Sequence, residues 1–207
     1  MTMADATIHR RPLVAALMKD ATADLLVIGG LGQCAWDITA AGDRATNLPL
    51  WGGMGGTVMM GLGLALAQPK KRVLVITGDG DMLMGLGSLA TVATQQPPNL
   101  AIVVLDNGKF GETGNQATHT ASPTLGALDR GAGTDLTAIA RGCGIADCAT
   151  VTDEGAIPQL VKDARTKPGP VYRTVKIMVE TLPLIMPAKD GAYLKDRFRL
   201  AVVGATG

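Results

Sequence analysis

The stretch Arg72-Val73-Leu74-Val75-Ile76-Thr77-Gly78-Asp79-Gly80-Asp81 decides the fold. Its first half is a run of β-branched and other apolar residues, which is typical of a strand buried on both faces of a parallel sheet. Asp79 then stands between two glycines, where a helix is expected to begin. Backbone N–H groups and the helix dipole at such a point bind an anion, and a carboxylate binds a cation. The sequence therefore predicts a metal–phosphate site at the end of this strand.

A second buried strand, residues 100–105, ends beside Asp106, Asn107 and Gly108. The pattern between the two strands predicts one amphipathic helix, from about Met82 to Thr94. Because the carboxyl ends of parallel strands lie at the same edge of a sheet, Asp79 and Asn107 are expected to be close together. Carboxylate and amide oxygens are hard ligands that suit Mg²⁺ or Ca²⁺.

Length and composition indicate one α/β domain with a tail. The chain has 207 residues, of which 47% are hydrophobic and only 3% aromatic. We predict a three-layer α/β/α fold with a mostly parallel central sheet, a domain over residues 1–182, and a tail over residues 183–207 that packs on the domain or on a partner. A net charge of +1 provides no basic surface for a nucleic acid or an anionic membrane.

The cysteines indicate a reducing compartment. Cys34, Cys143 and Cys148 include no Cys-x-x-Cys pair, so zinc and iron–sulfur sites are not expected. Residues 1–12 contain no apolar segment of a signal peptide, and no stretch is long enough to span a membrane. We therefore expect a cytoplasmic protein.

Elsewhere the chain alternates between helical and strand patterns. We predict helices at residues 12–21, 57–67, 136–142 and 152–166, and strands at residues 25–28, 148–151 and 171–177. Residues 43–49 are predicted to be a polar loop. Residues 108–134 have little regular pattern, and a loop of this length is usually functional, often as a lid.

Two glycine-rich segments are candidate ligand loops. Gly29, Gly30 and Gly32 follow the first strand, and residues 52–56 contain four glycines in five positions. These glycines either let a ligand approach the backbone or simply form tight turns. A nicotinamide or flavin site is disfavoured, because no acidic residue ends the next strand in the position of a ribose ligand.

His119 is a candidate for substrate binding or proton transfer. It is one of two histidines and lies in the long loop. The alternative is a histidine on the surface without a function.

Three motifs together resemble one family. Gly78-Asp79-Gly80, Asn107 and Trp51-Gly52-Gly53-Met54-Gly55 resemble, in order and spacing, the diphosphate-binding domain of thiamine-diphosphate enzymes. Gly30-Leu31-Gly32-Gln33 and the segment Asp106–Thr118 resemble more specifically the sulfopyruvate and phosphonopyruvate decarboxylases. The second group carries both thiamine-binding domains on one chain, whereas the first divides them between two subunits. This chain has only the second half and resembles the β subunit of the divided type.

The resemblance implies thiamine diphosphate and Mg²⁺ as cofactors. Asp79, Asn107 and the backbone oxygen of Lys109 would bind Mg²⁺, and Gly80 and Asp81 would donate backbone N–H groups to the diphosphate. The Gly52 carbonyl would accept from the cofactor's amino group, and Met54 would be the apolar wedge that bends the cofactor. The resemblance also places in the cofactor site Gly32, Gln33, Gly53, Gly78, Phe110, Gly111 and Glu112.

The resemblance further implies a partner subunit. In this superfamily a glutamate of the pyrimidine-binding domain activates the cofactor, and Glu112, Glu154 and Glu180 have no comparable sequence context. A pyrimidine-binding α subunit would supply the activating glutamate, in an α2β2 or larger hetero-oligomer. This chain would then be active only with its partner. The complex would be a carboxy-lyase that acts on a small 2-oxo acid, converting sulfopyruvate to sulfoacetaldehyde and CO₂.

The substrate's anionic end would need a cation, for which Lys109, Arg44 and Arg130 are candidates. Three alternatives remain open at this point. The chain could belong to a decarboxylase of phosphonopyruvate or another 2-oxo acid, or be the small subunit of a 2-oxoacid oxidoreductase or synthase. It could also be a non-catalytic module that binds thiamine diphosphate.

Overall fold

A six-stranded parallel sheet forms the centre of the computed structural model, which describes residues 6–121 and 133–204. The strands follow the order β2-β1-β3-β4-β8-β7, and each neighbouring pair is parallel. Their bounds are Leu25–Gly29 (β1), Asn47–Pro49 (β2), Arg72–Gly78 (β3), Leu100–Asp106 (β4), Asp147–Val151 (β7) and Val171–Lys176 (β8). A separate hairpin pairs Lys109–Phe110 (β5) with Gln116–Ala117 (β6).

Helices cover both faces of the sheet, which confirms the predicted three-layer fold. The helices are Arg10–Met18 (α1), Gln33–Ala40 (α2), Thr57–Ala67 (α3), Asp79–Met84 (α4), Gly87–Gln95 (α5), Leu136–Gly142 (α6), Ile157–Thr166 (α7) and Gly191–Val203 (α8). Alternate residues of each strand pack on opposite sides. Leu74 and Ile76 of β3 join the core under α1, α2 and α7, while Val73 and Val75 join the core under α3, α5 and α6.

The connections reverse direction beside β1. The chain moves from β1 outward to β2 through α2, then crosses back to β3 through α3 on the other face of the sheet. Ligands of open α/β sheets bind in the crevice at such a switch point, outside the carboxyl ends of the strands. The loops after β1, β3 and β4 therefore meet where a ligand is expected.

The predicted helix from Met82 to Thr94 was wrong, because the structure divides it into α4 and α5. Gly85 ends α4, and its backbone N–H donates to the carbonyl oxygens of Asp81 and Met82. A Cβ added at Gly85 would lie 2.3 Å from the carbonyl oxygen of Gly55. The break thus allows the loop of residues 52–56 to approach the helix.

The predicted polar loop and the predicted tail both contain regular structure. The polar loop at residues 43–49 ends in the edge strand β2, which pairs with β1 through the register Val27↔Asn47. The tail contains α8, which packs beside β2, and its Leu194 and Phe198 are buried. The division of the chain at residue 182 remains a prediction.

The remaining boundaries lie close to those predicted. The helix expected at residues 152–166 begins as a short 3₁₀ turn, Glu154–Ala156, before α7. Within the long loop, residues 108–121 form the hairpin and a turn, while residues 122–132 lie outside the described residues. Over the described ranges, no helix has the length and apolar character needed to cross a membrane.

Candidate functional site

A cleft opens at the carboxyl edge of the sheet, between the loops that follow β1, β3 and β4. Residues predicted to bind the cofactor line much of it: Gln33, Met54, Gly78, Asp79, Gly80, Asp81, Asn107, Lys109, Phe110, Gly111 and Glu112. The parallel register aligns Gly78 with Leu105, so both loops leave the sheet at the same level. The fold therefore assembles residues from distant parts of the sequence into one site.

Asp79 is the buried carboxylate of this cleft. It is the first residue of α4, and its Oδ2 accepts hydrogen bonds from the hydroxyls of Thr118 and Thr120, the latter at 2.9 Å. Burial, followed by the nearby charge of Asp106, raises the pKa of Asp79 to about 6. A carboxylate in this state gains stability from a cation, because a cation offsets both the lost hydration and the repulsion.

Asp106 and Asn107 form the adjacent wall at the end of β4. Asp106 pairs with Lys176 and accepts from the Thr120 hydroxyl at 2.8 Å, which links it to Asp79. The Asn107 side-chain oxygen accepts from the backbone N–H of Lys109 at 3.0 Å, and its amide nitrogen lies 3.4 Å from Gln33 Oε1. These contacts hold the amide in place beside the cleft.

The donor set fits Mg²⁺ together with a diphosphate. One carboxylate, one side-chain amide and a backbone carbonyl are hard oxygen ligands, and a diphosphate and water complete an octahedron. The described residues contain no cluster of three or more His, Cys, Asp or Glu that could bind a metal. Gly78 lines the cleft, and a Cβ added there would meet no atom within 4 Å, so the backbone is open to a ligand.

The side chain of Asp81 has a structural role that sequence reasoning missed. Its carboxylate accepts hydrogen bonds from the Gly55 backbone N–H and from the hydroxyls of Thr57 and Thr77. The Asp81 carboxylate therefore connects the 52–56 loop and the start of α3 to the turn after β3 through hydrogen bonds. The only sequence signal for this role was the position of Asp81 next to Gly78-Asp79-Gly80. Its hydrogen-bond partners lie elsewhere in the sequence, and only the fold brings them together.

Met54 reaches the same turn from the other side. Its Cε lies 3.6 Å from the position of a Cβ added at Gly80, and Phe110 would be only 2.5 Å away. Gly80 is therefore packed between Phe110 and Met54, which leaves no room for a side chain. Gly52 and Gly53, by contrast, do not line the cleft and are exposed, with no atom within 4 Å of an added Cβ.

Another wall of the cleft forms where the loop after β1 packs against the hairpin loop. A Cβ on Gly32 would lie 2.5 Å from Glu112 Oε1, and one on Gly111 would lie 2.6 Å from Gln33 Nε2. Gly32 also has a φ of +73°, a conformation that favours glycine. At these two positions glycine allows the two loops to pack closely, because a side chain would clash.

Arg10 also lines the cleft and was missed by sequence reasoning. It is 2% exposed, although arginine is rarely so buried. Its position in the sequence, on a helix far from any motif, provided no signal.

The residues predicted to bind the substrate do not all lie at the cleft. His119 is exposed and is not among the cleft-lining residues, whereas Thr118 and Thr120 on either side of it face Asp79. Arg44 donates to the carbonyl oxygens of Thr22 and Leu25 at the amino end of β1, so its proposed place near the substrate was wrong. Arg130 lies outside the described residues, and Lys109 lines the cleft.

The chain is similar to a known family over most of its length. Residues 30–175 match the family described as thiamine pyrophosphate enzyme, C-terminal TPP binding domain. The sulfopyruvate decarboxylase subunit beta of Methanothermobacter thermautotrophicus is 34% identical over 183 residues, which cover 88% of this chain and 90% of that one. The corresponding subunit of Methanocaldococcus jannaschii is 39% identical over 120 residues, which span 58% of each chain.

Two longer proteins match with only part of their length. The phosphonopyruvate decarboxylase of Streptomyces viridochromogenes is 32% identical over 90% of this chain but only 44% of its own. A solved structure of a thiamin diphosphate-dependent enzyme from Mycobacterium smegmatis superposes with a TM-score of 0.67 at 21% identity, over 84% of this chain and 32% of that one. The latter likeness bears on the fold alone. The family match and the sulfopyruvate decarboxylase relatives show that this chain belongs to the thiamine pyrophosphate enzymes, as a domain of the C-terminal TPP-binding type.

Proposed function

We propose that the chain is the β subunit of a two-subunit, thiamine-diphosphate-dependent 2-oxo acid decarboxylase that acts on sulfopyruvate. The observation that carries this proposal is the buried pair of Asp79 and Asn107 at adjacent strand ends, inside a domain of the matching family. The relatives named as β subunits support the divided architecture and the substrate.

The residues of this chain would hold the diphosphate end of the cofactor. Asp79, Asn107 and the Lys109 carbonyl would bind Mg²⁺, while the backbone N–H groups of Gly80 and Asp81 would bind the diphosphate. Met54 would press against the cofactor from the opposite side of the turn. When bound, the cofactor supplies an electron sink that lets the substrate's carboxylate leave as CO₂.

The activating glutamate would come from an α subunit. Glu112 packs against Gly32 in the wall beside the diphosphate turn, and Glu180 pairs with His9. Glu154 opens the 3₁₀ turn before α7. Glu154 and Glu180 do not line the cleft, and Glu112, which lines it together with Met54, stands in the wall formed with Gly32. This placement supports a hetero-oligomer in which the partner completes the site, and a cytoplasmic location remains a prediction.

Phosphonopyruvate is the second candidate substrate. A relative of that activity is 32% identical over 90% of this chain. Both substrates carry a tetrahedral oxyanion on carbon 3, so both would need similar cationic recognition.

Co-expression with the α subunit, followed by assays of CO₂ and aldehyde, tests the proposal. We expect rapid turnover of sulfopyruvate, slower turnover of phosphonopyruvate and little of pyruvate. A complex that carries Asp79→Asn is the matched control and should release CO₂ roughly a thousandfold more slowly. Formation of a ligated product, or reduction of an electron acceptor in place of aldehyde release, would contradict the proposal.

A further inference from the structure

Arg10 is a buried residue of the cleft wall, as deeply buried as Asp79. The segment before α1 runs along the carboxyl edge of the sheet, where Ile8 forms a parallel bridge with Ile177 beyond the end of β8. The backbone N–H of Arg10 donates to Glu180 Oε2 at 3.3 Å. These contacts place the 2% exposed Arg10 side chain at the cleft, beside Cys34 and Ile177.

Arg10 shares its buried carboxylate partner with Arg11. Its Nη1 donates to Asp37, which is itself fully buried in α2. The same carboxylate also accepts from Arg11 Nε at 2.9 Å. Two guanidinium groups therefore share one carboxylate, and neither has it to itself. A buried guanidinium whose donors are not all satisfied is costly, so a further acceptor beside Arg10 would be stabilising.

The guanidinium also has free donors. Within the described part of the chain, Arg10 Nε is buried and has no hydrogen-bond partner, and Nη2 takes part in none of the hydrogen bonds found there. The carboxylates that share the cleft are engaged elsewhere. Thr118 and Thr120 donate to Asp79, and three donors occupy Asp81. Glu112, on the opposite wall, forms no hydrogen bond with Arg10.

We propose that Arg10 binds a tetrahedral oxyanion in the cleft, either a phosphate of the cofactor or the sulfonate of the substrate. The planar, permanently charged guanidinium matches such an anion with two parallel hydrogen bonds. Its place in the cleft that the Gly78–Asp81 turn also lines favours the phosphate. The identity of the anion rests on the proposed function, whereas the existence of an anion site does not.

Arg11 provides a matched control. It contacts the same carboxylate as Arg10, but its Nη2 donates to the Pro183 carbonyl at 2.9 Å and it does not line the cleft. Arg10→Gln and Arg11→Gln each remove one guanidinium from Asp37, and only the first removes a donor from the cleft. Arg10→Lys retains the charge without the planar fork, and it serves if Arg10→Gln fails to fold.

Calorimetric titration of the full chain with inorganic pyrophosphate and Mg²⁺ is the first measurement. We expect Arg10→Gln to weaken pyrophosphate binding about 10-fold to 100-fold, as for loss of charge-assisted hydrogen bonds. Arg10→Lys should lose several-fold, and Arg11→Gln less than twofold. Thermal unfolding of each variant separates loss of binding from loss of fold.

The second measurement uses the complex with the α subunit. A raised KM for the sulfonated 2-oxo acid in Arg10→Gln, with unchanged cofactor and pyrophosphate affinity, assigns the anion to the substrate and still supports the site. Unchanged affinity and KM, or equal losses in Arg10→Gln and Arg11→Gln, would overturn it. If the wild-type complex releases no CO₂ while Arg10 still controls pyrophosphate binding, the proposed function fails and the anion site stands.

Discussion

The metal clamp, defined here as Asp79 and Asn107, and the Met54 loop, residues 52–56, are held in very different ways. Both clamp residues are buried, and side chains or backbone of the same chain support each of them. In the loop, Gly52 and Gly53 are exposed, a Cβ added at either would meet no atom within 4 Å, and the preceding Trp51 is 42% exposed. Asp79 and Asn107 are thus held in place by contacts within this chain.

The difference fits the proposed division of the site between two subunits. A metal–diphosphate clamp needs fixed oxygen ligands, and buried hydrogen bonds supply that rigidity. The open loop leaves space on the side where the other end of the cofactor would lie. The link between the two regions is Asp81, whose carboxylate joins the turn after β3 to Gly55 and Thr57. Substitutions in each region should therefore have separable effects.

The largest effect is expected for Asp79→Asn in the clamp. Loss of the charged ligand should weaken Mg²⁺-dependent pyrophosphate binding and lower kcat of the complex by roughly a thousandfold, about 4 kcal/mol. The melting temperature should be retained or raised, because the repulsion from Asp106 is relieved. Asp196→Asn on the exposed face of α8 is the control. Normal Mg²⁺-dependent binding by Asp79→Asn would remove the clamp from the site.

Met54→Ala should reduce the loop's contribution to kcat and leave the clamp intact. We expect kcat to fall about 10-fold to 100-fold, since a misplaced reacting group has a cost of this order. Pyrophosphate affinity should change less than twofold. Met59→Ala, an exposed residue of α3, should leave both quantities unchanged. Equal losses of kcat and of pyrophosphate affinity would show that the two regions are not separable.

Asp81→Asn tests the link between the regions. Three donors converge on this carboxylate, and an amide cannot accept from all of them, so about 1–3 kcal/mol of unfolding free energy should be lost. The loop should become more sensitive to limited proteolysis, which mass spectrometry can locate. The variant's kcat should fall roughly tenfold, a smaller loss than for Asp79→Asn. Unchanged stability and proteolysis would mean that the hydrogen bonds do not hold the loop.

The smallest effect is expected for Trp51→Phe. Trp51 Nε1 donates to the Ala188 carbonyl at 2.8 Å, on the loop's outer side and in the tail. Loss of this exposed hydrogen bond should lower the free energy of unfolding by about 1 kcal/mol or less and leave pyrophosphate affinity unchanged. Denaturant unfolding measures the first and calorimetry the second. A large loss of binding would mean that the tail also positions the clamp.

The placement of Asp79 and Asn107 at adjacent strand ends could be predicted from sequence because its signals are local, whereas their binding of a metal remains a prediction. The apolar runs before Asp79 and Asn107 indicate strands, and the parallel arrangement places their ends together. Helix α3 was also predicted at its observed bounds, residues 57–67, since its apolar pattern follows a glycine-rich turn.

The supporting contacts could not be predicted, because they join residues that only the fold brings together. Asp81 bonds Gly55 and Thr57, and Arg10 reaches the cleft from a helix with no motif. The break at Gly85 likewise depends on the approach of Gly55 and has no signature within its own helical pattern. Tertiary packing overrode local pattern at each of these positions.

The central claim is that this chain holds the Mg²⁺–diphosphate end of the site and depends on a partner for catalysis. The direct measurement titrates the purified chain with Mg²⁺ and thiamine diphosphate, and follows CO₂ release from sulfopyruvate with and without the α subunit. We predict Mg²⁺-dependent binding by the chain alone, no CO₂ release by it, and release once the α subunit is added. Full turnover by the chain alone would contradict the claim.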